Sequence, residues 1–117
     1  MIEQISAVTL MTADMAKAVE FYTAMGFEMK YGGPEASFTS FTAGDGYLNL
    51  ELRPAYSAGA LWGRVVFYVS DVDACFEEAR SHGLHPSTTP RNADWGERYF
   101  HISDPDSHEL SFARPTR

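Results

Sequence analysis

Several things are scarce in this sequence, and each scarcity removes a class of protein. The chain has a single cysteine, Cys75, so no disulfide can close within it. No apolar run approaches the ~20 residues that cross a bilayer, and no charged start followed by an apolar stretch marks a secretory signal. Basic residues are few: nine Lys and Arg stand against sixteen Asp and Glu, for a formal net charge of −7. Such a balance disfavours polyphosphate and anionic lipid surfaces. The expectation is a cytoplasmic protein with neither nucleic acid nor membrane as a partner. What remains is ordinary globular composition, 44% hydrophobic and 21% charged over 117 residues, enough for one domain that removes roughly two thirds of its unfolded surface from water.

An internal repeat organises the chain. Asp14 and Asp71 each precede a helical pattern, and each is followed twelve positions later by a glycine, Gly26 and Gly83. At the same offset Val8 meets Val65, Leu10 meets Phe67, Met15 meets Val72, Ala18 meets Cys75, Val19 meets Phe76, Tyr22 meets Ala79 and Phe27 meets Leu84. The aspartates suit N-cap positions, where a carboxylate accepts backbone N–H groups at the positive end of a helix. Met15, Ala18, Val19, Tyr22 and Met25 form one apolar stripe, and Val72, Cys75, Phe76 and Ala79 repeat it. The glycines can take the left-handed conformation that ends a helix. Cys75 lies on the buried stripe and reads as an inert thiol.

Alternating apolar runs predict a strand before each helix, over 5–11 and 64–69. Three more follow each helix: 27–31, 37–41 and 47–52 in the first half, and 86–88, 99–102 and 109–113 in the second, separated by Gly, Pro and Asp turns. The fold class is therefore α+β, two tandem βαβββ modules over 1–53 and 64–117 joined by the small-residue linker 54–63.

The run from Trp95 through Gly96, Arg98, Phe100 and Asp104-Pro105-Asp106 to Ser107 resembles a signature of the vicinal oxygen chelate superfamily, which includes glyoxalase I, extradiol dioxygenases and bleomycin-resistance proteins. The general form is W-G-x-R-x-F-x-x-x-D-P-D-G, and only the last glycine is replaced. Asp14, Met15, Ala18, Phe21, Tyr22, Gly26 and Phe27 resemble the family's first helix. The resemblance covers nearly the whole chain and implies a curved mixed sheet around a cup-shaped cavity. In the family's metalloenzymes each module gives the cup one ligand from its first strand and one from its last. Aligned through the motifs, those positions are Ala7, Glu51, Arg64 and Ser111. Ala7 and Arg64 are 57 apart, while Glu51 and Ser111 are 60 apart, which requires a three-residue insertion. Alanine has no lone pair, guanidinium no acceptor, and a serine hydroxyl is a poor ligand at neutral pH. The expectation is no metal and no other cofactor.

Strand alternation places Ile5 and Thr9 with Ala7, Tyr47 and Asn49 with Glu51, Val66 and Tyr68 with Arg64, and Tyr99, His101 and Glu109 with Ser111. The third strand presents either Phe38, or Thr39 and Phe41. Leu10, Leu48, Leu50, Phe67, Phe100, Ile102, Leu110 and Phe112 are left for the core. The expected ligand-binding set is Tyr47, Asn49, Glu51, Trp62, Arg64, Tyr68, Trp95, Tyr99, His101, Glu109 and Ser111. This mixture of aromatic, charged and amide groups suits a ligand cavity. Some roles stay open: Arg64 pairs with Glu51 or meets a ligand, His101 is a lining residue or a base, and Trp62 and Trp95 cover edges or stack on flat ligands. The expected function is a metal-independent binder of an aromatic or partly anionic small molecule, working as a homodimer in the manner the resemblance to bleomycin-resistance proteins implies. The competing reading is a glyoxalase-like lyase or dioxygenase with a rearranged site built on Glu51, His101 and Glu109.

Overall fold

The computed structural model describes residues 1–117 as two compact units, Met1–Ala58 and Gly59–Arg117. In the first, β1 (Ala7–Thr12), α1 (Met15–Ala24), β2 (Glu28–Tyr31), β3 (Phe38–Ala43) and β4 (Gly46–Leu52) form a four-stranded sheet in the order β1-β4-β3-β2. In the second, β5 (Arg64–Tyr68), α2 (Val72–Ser81), β6 (Arg91–Asn92), β7 (Glu97–Ser103) and β8 (Glu109–Pro115) repeat it in the order β5-β8-β7-β6. In each sheet the first strand runs parallel to the last, and the remaining pairs are antiparallel. The predicted α+β class and tandem βαβββ arrangement are present.

The helices begin and end where the repeat places them. Asp14 Oδ1 accepts from the Lys17 N–H at 3.2 Å, and Asp71 Oδ1 from the Ala74 N–H at 3.0 Å. Gly26 and Gly83 sit at φ 95° and 79°. The next residues fold back, Phe27 N–H to the Tyr22 carbonyl and Leu84 N–H to the Ala79 carbonyl, both at 3.0 Å. These bonds satisfy carbonyls that the helix end leaves without partners.

Each helix covers one face of its own sheet, and that face is the core. Leu10, Phe41, Leu48 and Leu50 are buried in the first module, as are Phe100, Ile102, Leu110 and Phe112 in the second. Phe100 stacks on Phe112 with ring centroids 5.5 Å apart and meets Phe76 of α2 edge-on at 5.4 Å. Arg98, the arginine of the C-terminal motif, grips the first turn of α2 through two 2.8 Å bonds to the Asp73 carboxylate. The ion pair holds that carboxyl below its ordinary range. Arg98 thus ties strand to helix.

Two strand expectations require correction. Ile5 lies outside β1 and is exposed. The sixth strand is Arg91–Asn92 and not 86–88. Ser87 N–H still reaches the His101 carbonyl at 2.8 Å, but the His101 N–H is met by the Thr88 hydroxyl at 3.0 Å. A side chain has replaced the backbone acceptor, so the ladder stops there. Pro90, which has no N–H, separates this segment from β6.

Ser107, standing where the family motif carries glycine, adopts φ 68°. An L-residue pays roughly 1–2 kcal/mol for that conformation. Ser107→Gly is therefore expected to raise unfolding free energy by about 0.5–1 kcal/mol after the added freedom of glycine in the unfolded chain is subtracted. A denaturant titration of the two proteins measures this.

Candidate functional site

The face of each sheet turned away from its helix carries those predicted site residues that lie on strands, while Trp62 and Trp95 precede β5 and β7. In the first module β1 and β4 pair Ala7 with Tyr47, Thr9 with Asn49 and Met11 with Glu51. On β3, Phe38, Ser40 and Thr42 are opposite Glu51, Asn49 and Tyr47, while Thr39 and Phe41 are fully buried. The open alternative is thereby settled in favour of Phe38. Asn49 donates to the Thr9 hydroxyl at 3.3 Å, and Lys30 Nζ lies 5.8 Å from the centre of the Tyr47 ring.

In the second module the open face is more aromatic and more charged. Arg64, Val66 and Tyr68 of β5 are opposite Glu109, Ser111 and Ala113 of β8, and Tyr99 and His101 of β7 are opposite Ala113 and Ser111. Ser111 and Ala113 are small and buried. The Tyr68 side chain crosses β8 and donates its hydroxyl to Glu97 Oε2. Glu97 Oε1 accepts from the Trp95 indole N–H at 2.9 Å. Trp95 in turn stacks on Tyr99 with centroids 5.8 Å apart and planes at 26°, and Tyr99 leans on His101 at 5.0 Å. The Arg91 guanidinium is 5.9 Å from the Tyr99 ring centre. Trp95 remains 70% exposed despite these contacts.

The ion pairs differ from the one considered from the sequence. Arg64 binds Glu109, its Nε 2.5 Å from Oε2, with a second nitrogen on the same oxygen. Glu51 is held by Arg53. The register explains the choice, because Arg64 and Glu109 are direct cross-strand partners on one face. Burial, and then the Arg64 guanidinium, hold His101 below its ordinary pKa, against the opposing effect of Glu109 and with a further lowering by Arg91. Its folded form thus favours the neutral imidazole. This group contributes less stability as pH falls from the unfolded value of 6.5 through the lower folded one. Glu97 likewise raises the Tyr68 phenol pKa, chiefly through their hydrogen bond.

Trp62 does not join the stack. Its indole N–H donates to Nδ1 of the buried His108 at 3.0 Å, and the two rings meet edge-on at 5.9 Å. That nitrogen accepts the bond, so His108 anchors Trp62. Burial pushes the Cys75 thiol up to about 11, in keeping with an inert cysteine. A hollow of about 370 Å³ lined by Ser70, Asp71, Asn92, Arg98, Arg114 and Thr116 includes none of the predicted ligand-binding residues.

Glu97 and Arg91 are the residues that sequence reasoning missed. Glu97 was within reach, since one more step of two from Tyr99 puts it on the same face. Arg91 depended on the true position of β6.

The register also corrects the internal alignment. Ala7 is opposite Tyr47 and Arg64 opposite Glu109, so Ser111 corresponds to Asn49 and Ala113 to Glu51. The second module has five extra residues before its last strand, not three. With Ser111 placed by the C-terminal motif, the positions that the resemblance implies for the family's metal ligands are then Ala7, Asn49, Arg64 and Ser111. A methyl, a carboxamide, a cation engaged by Glu109 and a buried hydroxyl do not fit a divalent ion. No group of three or more His, Cys, Asp or Glu side chains is arranged to hold a metal.

A fold of two tandem βαβββ modules with one open face on each sheet defines a class, and the comparisons agree. Residues 4–112 match the model of the Glyoxalase/Bleomycin resistance protein/Dioxygenase superfamily. The chain belongs to that family. Similar solved structures include a bleomycin resistance determinant encoded on the transposon Tn5 (19% identity, TM-score 0.80, covering 98% of this chain and 100% of that one). A bleomycin-binding protein complexed with bleomycin shares 20% identity at TM-score 0.75, over 97% of this chain and 98% of that one. A lactoylglutathione lyase from Agrobacterium tumefaciens shares 21% at TM-score 0.75, over 96% and 93%. At these identities the likeness is one of fold. No curated protein matches the chain by sequence.

Proposed function

We propose that this protein is a metal-independent small-molecule binder that holds a flat aromatic ligand on the open face of its second module. The observation that carries the reading is Trp95, stacked on Tyr99, oriented by Glu97 and still 70% exposed. An ordered, exposed indole is a large stacking surface whose conformational freedom is already restricted, which lowers the cost of binding. Bleomycin binding by a protein of the same fold supports a ligand-holding role. The uneven composition of the predicted metal positions favours binding over metal-assisted chemistry. A panel of planar aromatic compounds, added without metal, is expected to quench tryptophan fluorescence saturably. Trp95→Ala should weaken the bound compound by about tenfold or more, since stacking on an aromatic side chain is worth roughly 1–3 kcal/mol. A panel without a binder, or a Trp95→Ala protein that binds unchanged, would refute the reading.

We further propose that the protein acts as a homodimer. Apart from the Trp95 stacking surface, Leu61 and Trp62 are exposed before β5 and Val66 on it. Apolar surface of this extent commonly marks association or ligand sites. Sedimentation at micromolar concentration is expected to give about twice the 13.0 kDa chain mass. A species of one chain mass would overturn the assignment.

A further inference from the structure

The sequence leaves the ligand aromatic or partly anionic, with Arg64 open either to pair with Glu51 or to meet it. The geometry points elsewhere, and we infer that the stacking face of the second module selects a ligand bearing an ammonium group, received by Glu97. This inference rests on the binding role proposed above and names the chemistry of the ligand.

Arg64 is the less suitable charge, because Glu109 takes both its Nε and a terminal nitrogen. A guanidinium so paired attracts an anion weakly, since the carboxylate beside it cancels most of the field. Glu97 is in the opposite condition. Its two oxygens accept from neutral donors, the Tyr68 hydroxyl and the Trp95 indole N–H, and no cation is paired with it. Those donors occupy both oxygens and bring no positive charge of their own. A full negative charge therefore stands among the Tyr68, Trp95 and Tyr99 rings.

An unneutralised carboxylate among aromatic rings is complementary to an organic cation. The ring faces carry the negative part of the aromatic quadrupole and attract a cation placed over them. The carboxylate adds a longer-range attraction that an anion would feel as repulsion. The same cluster already attracts a cation of its own, for Arg91 lies over Tyr99. Arg91 is on β6, at the sheet edge next to Tyr99, whereas Glu97 is joined to Trp95 and to Tyr68 from β5. The exposed Trp95 indole has no guanidinium against it. Geometry thus gives Tyr99 to the internal cation and leaves Trp95 with Glu97 for an external one.

Calorimetry with three probes of similar size tests this: benzyltrimethylammonium, benzyl alcohol and phenylacetate, each titrated into the full chain, its Glu97→Gln variant and its Trp95→Ala variant. Glutamine keeps an oxygen acceptor for Tyr68 or Trp95 while removing the charge. The parent protein should bind the ammonium probe at least about tenfold more tightly than the other two. Glu97→Gln should remove most of that preference, weakening the ammonium probe far more than benzyl alcohol, and Trp95→Ala should weaken all three. Equal affinity for the three probes, or tighter binding of phenylacetate, overturns the ammonium inference while leaving an aromatic binder. An equal loss for all probes in Glu97→Gln shows that Glu97 only positions Trp95, which also overturns it. Binding of none of the probes removes the stacking face as a site, and the inference with it.

Discussion

Truncating Leu50 to alanine is expected to cost roughly 2–5 kcal/mol of stability, while Tyr47→Phe, on the same strand, should change it by less than about 0.5 kcal/mol. Leu50 is fully buried, at 0% exposure, on the central strand β4, with Leu10 beside it on β1 and Thr39 on β3. Alanine there leaves a cavity that paired strands on both sides resist closing. Tyr47 faces the other way and is 37% exposed, and no hydrogen bond of its hydroxyl is at stake in the core. Denaturant midpoints for the two variants measure the difference. A larger loss for Tyr47→Phe would mean that the faces of β4 are assigned backwards.

That assignment was legible because the signal is periodic. A run such as Tyr47-Leu48-Asn49-Leu50-Glu51-Leu52 can be half-buried in only one phase, and a one-residue slip would put every leucine in water. The helices were legible for a similar reason, with an aspartate cap, an apolar stripe and a glycine stop agreeing twice at a spacing of 57. The sixth strand was not. Two residues long, it has no period to read, and its position follows from Thr88 substituting its hydroxyl for a backbone acceptor. Charge pairing was legible only as a set of candidates. Alternation puts Arg64, Glu51 and Glu109 on open faces, but the choice of Glu109 depends on cross-strand register, which loop lengths between strands decide. The stacking of Trp95 on Tyr99 was hidden in the same way, since Trp95 precedes β7 and its orientation comes from a hydrogen bond to Glu97 that no spacing rule supplies.

Register also governs the largest change a small number of substitutions should produce. The unmodified protein is expected to show no stoichiometric heat with zinc or nickel, because the positions that resemble the family's ligand sites hold Ala7, Asn49, Arg64 and Ser111. Combining Ala7→His, Asn49→Glu, Arg64→His and Ser111→Glu gives each module one imidazole and one carboxylate on adjacent parallel strands, the donor types that such ions accept. It also removes the guanidinium whose charge opposes a divalent ion. Micromolar or tighter binding, about 8 kcal/mol or more, is the expected gain. The three-residue combination that keeps Asn49 is the control. It leaves Glu51 to serve the first module, but Glu51 is opposite Met11, two residues further along the sheet than Thr9 and already held by Arg53. That variant should bind at least about tenfold more weakly than the fourfold one, a difference of about 1.4 kcal/mol. Ser111 is buried, and a carboxylate there is costly without an ion, so near-ultraviolet circular dichroism must first show that both variants keep native packing. If calorimetry then finds the two equal, Glu51 is the equivalent position, and the five-residue insertion read from the strand register is wrong.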